Sequence, residues 1–239
     1  MSVDRSSLSV VNASVQPVPV ITIDGPSGTG KGTLCYRLAK YLGWHALDSG
    51  AIYRVLALAA YQQGILLNDI HQLTLLAQQL DLKFDYVDSP QVLLNSINVT
   101  QLIRSEQCGQ NASRIASIPE VRQALLERQR AFAALPGLVT DGRDMGTIVF
   151  PDAALKIYLD ASTEERAKRR FTELQLKGID VSLHDVLEEL LQRDQRDCQR
   201  QVAPLLAAKD AIHVDTTGLT IAQVWESVLQ LLRDKKMSS

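Results

Sequence analysis

The sequence predicts an α/β fold of three layers. A five-stranded parallel sheet lies between helices, with a small antiparallel β insertion and a short helical lid. Three observations lead there. Short β-branched or apolar runs alternate with amphipathic helical patterns along most of the chain. The first run, Val20–Asp24 (VITID), passes directly into a glycine-rich loop and then a helical pattern. Residues 82–99 depart from that alternation, because Leu82, Phe84 and Tyr86 alternate with polar residues as in a half-buried antiparallel strand.

In chain order, the helix after the glycine loop rests on Leu34, Leu38, Tyr41 and Leu42 at helical spacing, from about Gly32 to Tyr41. Trp44–Leu47 reads as a second short strand, and Ser49–Gln63 as an apolar helix closed by Gly64. The insertion is expected to turn at Asp88-Ser89-Pro90 and to continue as one strand over Val92–Val99. Residues 103–117 and 119–134 read as helices, the second opening on Pro119 in a favoured first-turn position. Leu138–Thr140 and Leu155–Leu159 are strands of the buried, parallel type. Helices are expected over Glu164–Lys177 and Leu183–Arg200, separated at Gly178-Ile179-Asp180. Ala211–Val214 is the last strand, and Ile221–Lys235 a closing amphipathic helix. Residues 1–17 read as a disordered tail before one domain spanning 18–239.

Composition removes several function classes. The chain has 25 Lys+Arg against 27 Asp+Glu, so it lacks the basic balance of a nucleic-acid binder. Its apolar stretches are too short for a membrane span, and the N-terminal segment carries Asp4 and no continuous apolar stretch. Cys35, Cys108 and Cys198 are widely spaced, and the four histidines show no ligand spacing, so neither a disulfide framework nor a zinc site is expected. Reduced thiols suit a cytoplasmic protein.

Gly25, Pro26, Ser27, Gly28, Thr29, Gly30 and Lys31 satisfy G-x-x-x-x-G-K between a strand and a helix. Phosphates are crowded and anionic, so a loop that binds them must bring backbone N–H groups close without intervening side chains. Glycines allow that approach, and the helix N-terminus adds partial positive charge. Lys31 supplies a full charge to the β- and γ-phosphates of a nucleotide, and the fold expected is that of a P-loop NTPase. The residue after the lysine is Gly32, with Thr33 one place later, so a Mg²⁺ ion is expected to be held largely through water. Thr33 and Asp141 are the candidate protein contacts, and no direct ligand is assigned.

The loop alone also fits GTPases, ATPase motors and small-molecule kinases. A GTPase would need an N-K-x-D guanine motif, which is absent. An enzyme moving phosphate between two anionic substrates needs a second site rich in arginine. Arg54 follows the second strand, Arg143 follows the third, and Arg193, Arg196, Asp197 and Arg200 share one helix face. Each has a plainer reading: a solvated helix residue for Arg54, a polar turn for Asp141–Asp144, and a surface ion pair for Arg193 and Asp197. Their occurrence together behind a phosphate loop favours the second-substrate reading.

The strings ITIDGPSGTGKGT, LDSGAIYRVLALAA, VTDGRDMGTIVFPDA and RDQRDCQRQVAPL together resemble bacterial cytidylate kinase, from about Val18 to near the C-terminus. The last two are more specific than the phosphate loop, and they speak against an adenylate or shikimate kinase-like enzyme, the alternative reading. The resemblance implies phosphoryl transfer from ATP to CMP or dCMP, in a monomer that needs neither nucleic acid nor membrane. It implies ATP contacts across Gly25–Thr33, Gly32 included, and catalytic roles for Lys31, Arg143, Arg170 and Arg200. Ser113, Arg122 and Asp144 match positions at the cytosine edge, Arg54 and Arg143 those at the acceptor phosphate, and Ser49, Arg193 and Asp197 those near the pentose. A CMP-binding lobe is expected over about 49–134. A lid is expected over about 163–200, with Arg166, Arg169, Arg170, Arg196 and Arg200 closing on the phosphates.

Overall fold

The structure, a computed structural model, describes residues 17–85 and 90–235. The expected tail, apart from Pro17, and the turn at Asp88-Ser89 lie outside them. The strands β1 (Val20–Asp24), β2 (His45–Asp48), β6 (Leu138–Gly142), β7 (Leu155–Asp160) and β8 (Ile212–Asp215) form one five-stranded sheet in the order β2-β6-β1-β7-β8. All four pairings are parallel. Every residue of β1 and β6 is buried, which is why both read as unbroken runs.

The helices α1 (Lys31–Leu42) and α8 (Ile221–Asp234) cover one face, where Leu34, Leu38, Val228 and Leu232 pack on Ile21, Ile23 and Ile157. A second core gathers α2 (Ser49–Gln62), α3 (Ile70–Gln79), α4 (Glu106–Ile115) and α5 (Pro119–Arg130) around Ile52, Leu56, Leu73, Ile115 and Leu125. The pair α6 (Thr163–Leu176) and α7 (Leu183–Cys198) carries a small core of its own, Ala167, Leu174, Val186 and Leu190. Among the described residues no helix is long and apolar enough to cross a membrane.

Three local expectations change. Val92–Val99 is not one strand. It is a hairpin of β4 (Gln91–Leu94) and β5 (Ile97–Asn98), and with β3 (Leu82–Asp85) it makes a three-stranded antiparallel sheet. The turn falls on Asn95 (φ 49°) and Ser96 (φ 65°), and two successive positive φ values match the twist of the flanking strands. The helix expected over 103–117 is divided, because Ser105 is extended and caps α4 by accepting from Cys108 N at 3.3 Å. The preceding Leu102–Arg104 is a 3₁₀ turn. Finally, α3 has no counterpart among the expected elements; Asp69 caps it by accepting from Gln72 N at 3.0 Å.

Candidate active site

The glycine loop leaves β1 at the centre of the sheet. The chain proceeds to β2 and β6 on one side of β1 and to β7 and β8 on the other, so the loop sits where the strand order reverses. A Cβ on Gly25 would lie 2.0 Å from Leu159 O of β7, and Gly25 has φ +144°, so only glycine fits there. Lys31 opens α1 and is buried, and its Nζ donates to Pro26 O at 2.5 Å, so the loop curls around the ammonium. Burial, with Arg143 beside it, lowers the Lys31 pKa to about 7.

Asp48 and Asp141 stand side by side in register on β2 and β6. Asp48 is engaged in capping α2 through Ala51 N at 2.9 Å. Asp141 is buried with its Oδ1 unbonded, and burial together with Asp48 raises its pKa to about 8. Such an oxygen is suited to a cation or a cation-bound water. The described residues contain no cluster of three or more His, Cys, Asp or Glu able to hold a metal, so most ligands of a Mg²⁺ ion there would be phosphate and water. Thr33 is exposed on the cavity wall.

The empty-site stability should carry a signature of these two groups. Asp141 keeps its proton to about 8 in the folded chain against an ordinary 3.8, so its contribution to stability is lost as pH rises across that window. Lys31, lowered to about 7 from 10.5, works in the opposite sense, its contribution recovering as pH rises further. Asp141→Asn is therefore expected to raise the nucleotide-free Tm by several degrees near pH 8 and little near pH 4. Equal shifts at both pH values in thermal melts would refute this.

A cavity of about 770 Å³ faces the loop and is lined by Lys31, Arg54, Asp141, Arg143, Arg170 and Arg193, among others. Arg54 is aimed by α2 and donates to Ile103 O at 2.8 Å. Arg143 leaves the end of β6, and its Nε donates to Asp197 Oδ2 at 2.7 Å. Arg193 makes neither ion pair nor hydrogen bond among the described residues, and burial, with Arg143 and Arg54 nearby, lowers its pKa to about 9. An uncompensated, half-buried cation beside two others is a site for an anion.

Two groups of paired polar side chains do not line the cavity. Arg122 pairs with Asp144, and Arg200 pairs with Asp197. Asp197 also lies 3.5 Å from Ser113 Oγ. Burial alone would raise the Asp197 pKa, but Arg143, Arg200 and Arg193 outweigh it and hold the carboxyl below its usual range. Ser49, at the first turn of α2, is buried as well. Thus Arg54, Arg143 and Arg193 line the cavity, whereas Ser49, Ser113, Arg122, Asp144, Asp197 and Arg200 do not. The i,i+4 ion pair that spacing allows for Arg193 and Asp197 does not form, because Asp197 is engaged by Arg143 and Arg200.

The basic set on α6 and α7 divides in the same way. Arg166 is buried and bound to Ser27 O at 3.0 Å and to Asp194 at 2.7 Å, so it braces the loop instead of covering it. Arg169 is held by Thr216 O at 2.7 Å. Arg170 lines the cavity while pairing with Glu106 of α4 and Glu173. Arg196 is bonded to Gln110 of α4. α7 ends at Cys198, so Arg200 lies just beyond the helix in which it was expected.

On the other side of the loop a second cavity, about 620 Å³, is lined by Gly28–Gly30, Thr33, Arg169, Leu219, Ile221 and Trp225, with others. The Arg37 guanidinium lies 4.3 Å from the Trp225 ring centroid. The sequence assigns no site role to 216–225, although Ile221 onward reads as a helix, because the segment holds no motif and comes beside the loop through long-range contacts such as the β7–β8 pairing.

A phosphate loop at the sheet's reversal point, with a cation-lined cavity on one side and a largely apolar one on the other, defines a P-loop phosphotransferase for two nucleotide-like substrates. The family model described as cytidylate kinase matches residues 21–234. A cytidylate kinase of Aeromonas salmonicida is 58% identical over 216 residues, covering 90% of this chain and 94% of the relative. One of Shewanella frigidimarina is 53% identical over 220 residues, covering 91% and 96%. Among solved structures, an uncharacterized protein from Eubacterium ventriosum shares the fold at TM-score 0.50 and 12% identity, over 90% of this chain and 98% of that one. The chain belongs to the cytidylate kinase family.

Proposed function

We propose that this chain phosphorylates CMP and dCMP to CDP and dCDP, with ATP as donor. Family membership supports the activity. The observation that carries the residue assignment is the convergence of Arg54, Arg143 and Arg193 with Lys31 on one cavity beside the glycine loop. The acceptor phosphate is read as lying between Arg54 and Arg143, and the triphosphate as lying along Gly25–Thr33. The donor base is read into the cavity walled by Leu219, Ile221 and Trp225. Arg122 and Asp144 are assigned to the cytosine edge, since a carboxylate accepts from the amino group and a guanidinium donates to ring acceptors. In the structure these two are paired with each other, so binding would exchange that pair for the base. Ser113 is assigned beside them, and Ser49, Arg193 and Asp197 to the pentose.

The attacking oxygen belongs to an ionised phosphate, so no general base is needed. Catalysis then consists of alignment, exclusion of water and neutralisation of charge on the transferring group. Lys31, Arg143, Arg170 and Arg200 are assigned that work. Magnesium, bound with the nucleotide, would add charge neutralisation at the β- and γ-phosphates, held through water at Asp141 and near Thr33. The chain is read as acting as a monomer. The segment 18–239 is read as one kinase domain, with a CMP-binding lobe at about 49–134 and a lid at about 163–200 whose separate small core would let it move as a body. The three free thiols are consistent with a cytoplasmic enzyme.

The test is ADP release with ATP, Mg²⁺ and a panel of nucleoside monophosphates. Strong turnover is expected with CMP and dCMP, weak turnover with UMP, and little with AMP or GMP. Preferential turnover of AMP would overturn the base-site assignment, and turnover of no monophosphate would overturn the activity.

A further inference from the structure

Immediately after Asp144 the chain makes a wide helical turn, Met145–Val149, closed by Phe150 N donating to Met145 O at 2.7 Å. Such a turn leaves its first backbone N–H groups without partners of their own. An aspartate at the preceding position ordinarily supplies the acceptor, folding its carboxylate back onto the second or third N–H group. Asp144 occupies that position and makes no such bond; its carboxylate pairs with Arg122.

The acceptor comes instead from another strand. Asp24, the last residue of β1, is buried, in register with Gly142, and accepts from the turn's first two amides: Met145 N at 2.9 Å and Gly146 N at 2.8 Å. The turn is pressed against β1, since a Cβ on Gly146 would stand 2.9 Å from Thr22 Oγ1. Asp24 lines neither of the two cavities. It is one peptide bond from Gly25 and two hydrogen bonds from the segment that carries Arg143 and Asp144.

We infer that Asp24 is a positioning residue for recognition of the acceptor base: by capping the 145–146 turn from β1, it releases the Asp144 carboxylate from local capping and leaves it to Arg122 and the base. Gly146 N lies two residues after Asp144, within the ordinary reach of a capping aspartate, so the two carboxylates compete for it. If Asp24 loses an acceptor oxygen, a buried N–H group is orphaned, and the nearest replacement is Asp144 itself. Arg122 would then lose its partner, and the base would lose the carboxylate that accepts its amino group. The inference rests on the assignment of Asp144 to the cytosine edge.

The experiment compares kcat/KM for CMP and UMP, and KM for ATP, in Asp24→Asn, Asp144→Asn and the double variant. Asparagine keeps one oxygen and turns an NH₂ toward the other amide. Asp24→Asn is expected to raise KM for CMP and to lower the CMP-over-UMP ratio, each by about tenfold, with KM for ATP changed by less than about twofold. The double variant should discriminate no worse than Asp144→Asn alone, because both act through one carboxylate. A role in stability only would lower Tm and kcat for both acceptors and leave their ratio unchanged, which would overturn the inference. Lost discrimination in Asp144→Asn with normal discrimination in Asp24→Asn would also overturn it, while sparing the base assignment. Unchanged discrimination in Asp144→Asn would remove both. Should Asp24→Asn fail to fold, Gly146→Ala displaces the same turn with Asp24 intact, and the same ratio decides.

Discussion

Replacing Arg143 with alanine is expected to lower the rate of CDP formation by about three orders of magnitude, the range found for groups that meet charge in a phosphoryl-transfer transition state. Arg143 is anchored twice, by Asp197 Oδ2 at 2.7 Å through Nε and by Gly142 O at 3.2 Å through one terminal nitrogen. Its other terminal nitrogen makes no hydrogen bond among the described residues, and the side chain lines the cavity beside the glycine loop. The fold should survive, because Asp197 keeps Arg200 as an ion-pair partner and does not become an isolated buried charge. Steady-state kinetics with saturating CMP, paired with a thermal melt, is the measurement. A kcat within tenfold of the parent would take Arg143 out of the reaction, and a collapsed Tm would make it a folding residue.

The second large effect is at Lys31. Lys31→Met keeps most of the stem and removes the charge, and kcat should fall about a thousandfold or more, since the lysine is the full cation assigned to the β- and γ-phosphates. Stability should move the other way. Burial lowers the Lys31 pKa to about 7, so the folded chain holds this proton less tightly than the unfolded one, and the cation is a burden on the nucleotide-free protein at neutral pH. The loop carbonyl of Pro26 retains Thr29 Oγ1 as a donor at 3.1 Å. The nucleotide-free Tm of Lys31→Met is therefore expected to equal or exceed that of the parent. A drop of many degrees would assign the lysine to holding the loop together, with catalysis secondary. A functional group that weakens its own fold is a common cost of an active site.

How much of this was legible in the sequence depends on the range of each interaction. The strand, loop and first helix were, because glycine spacing and a short β-branched run are local signals. The five parallel strands were also legible as elements, but not that β6 lies between β1 and β2, which no residue pattern encodes. α3 was missed because it buries only Leu73 and Ala77, too few positions to establish a period. The β4–β5 turn was missed because Asn95-Ser96 adopts a double positive-φ turn without the glycine that usually marks one. Among the arginines, spacing placed Arg193 and Asp197 on one helix face. It did not reveal that Asp197 is drawn to Arg143, 54 positions away, which leaves Arg193 unpaired. The role of Asp24 is equally illegible locally, its partners lying more than a hundred residues away.

The Arg166 bonds bear on how the molecule would respond to its donor. One guanidinium joins Ser27 in the glycine loop, Ala161 and Thr163 at the start of α6, and Asp194 on α7. Its Cβ stands 3.1 Å from where a side chain on Gly28 would begin. The α6–α7 arm is thus clamped at its root to the loop assigned to the triphosphate, and any swing of its Gly178 end would pivot at that clamp. Such an arm works as a lever whose fulcrum is part of the donor site. A displacement of the loop by a fraction of an ångström would be magnified toward the Gly178 end and passed directly to α4, which Arg170 and Arg196 meet within about one turn of the clamp. Filling one half of the enzyme would then be felt mechanically in the other.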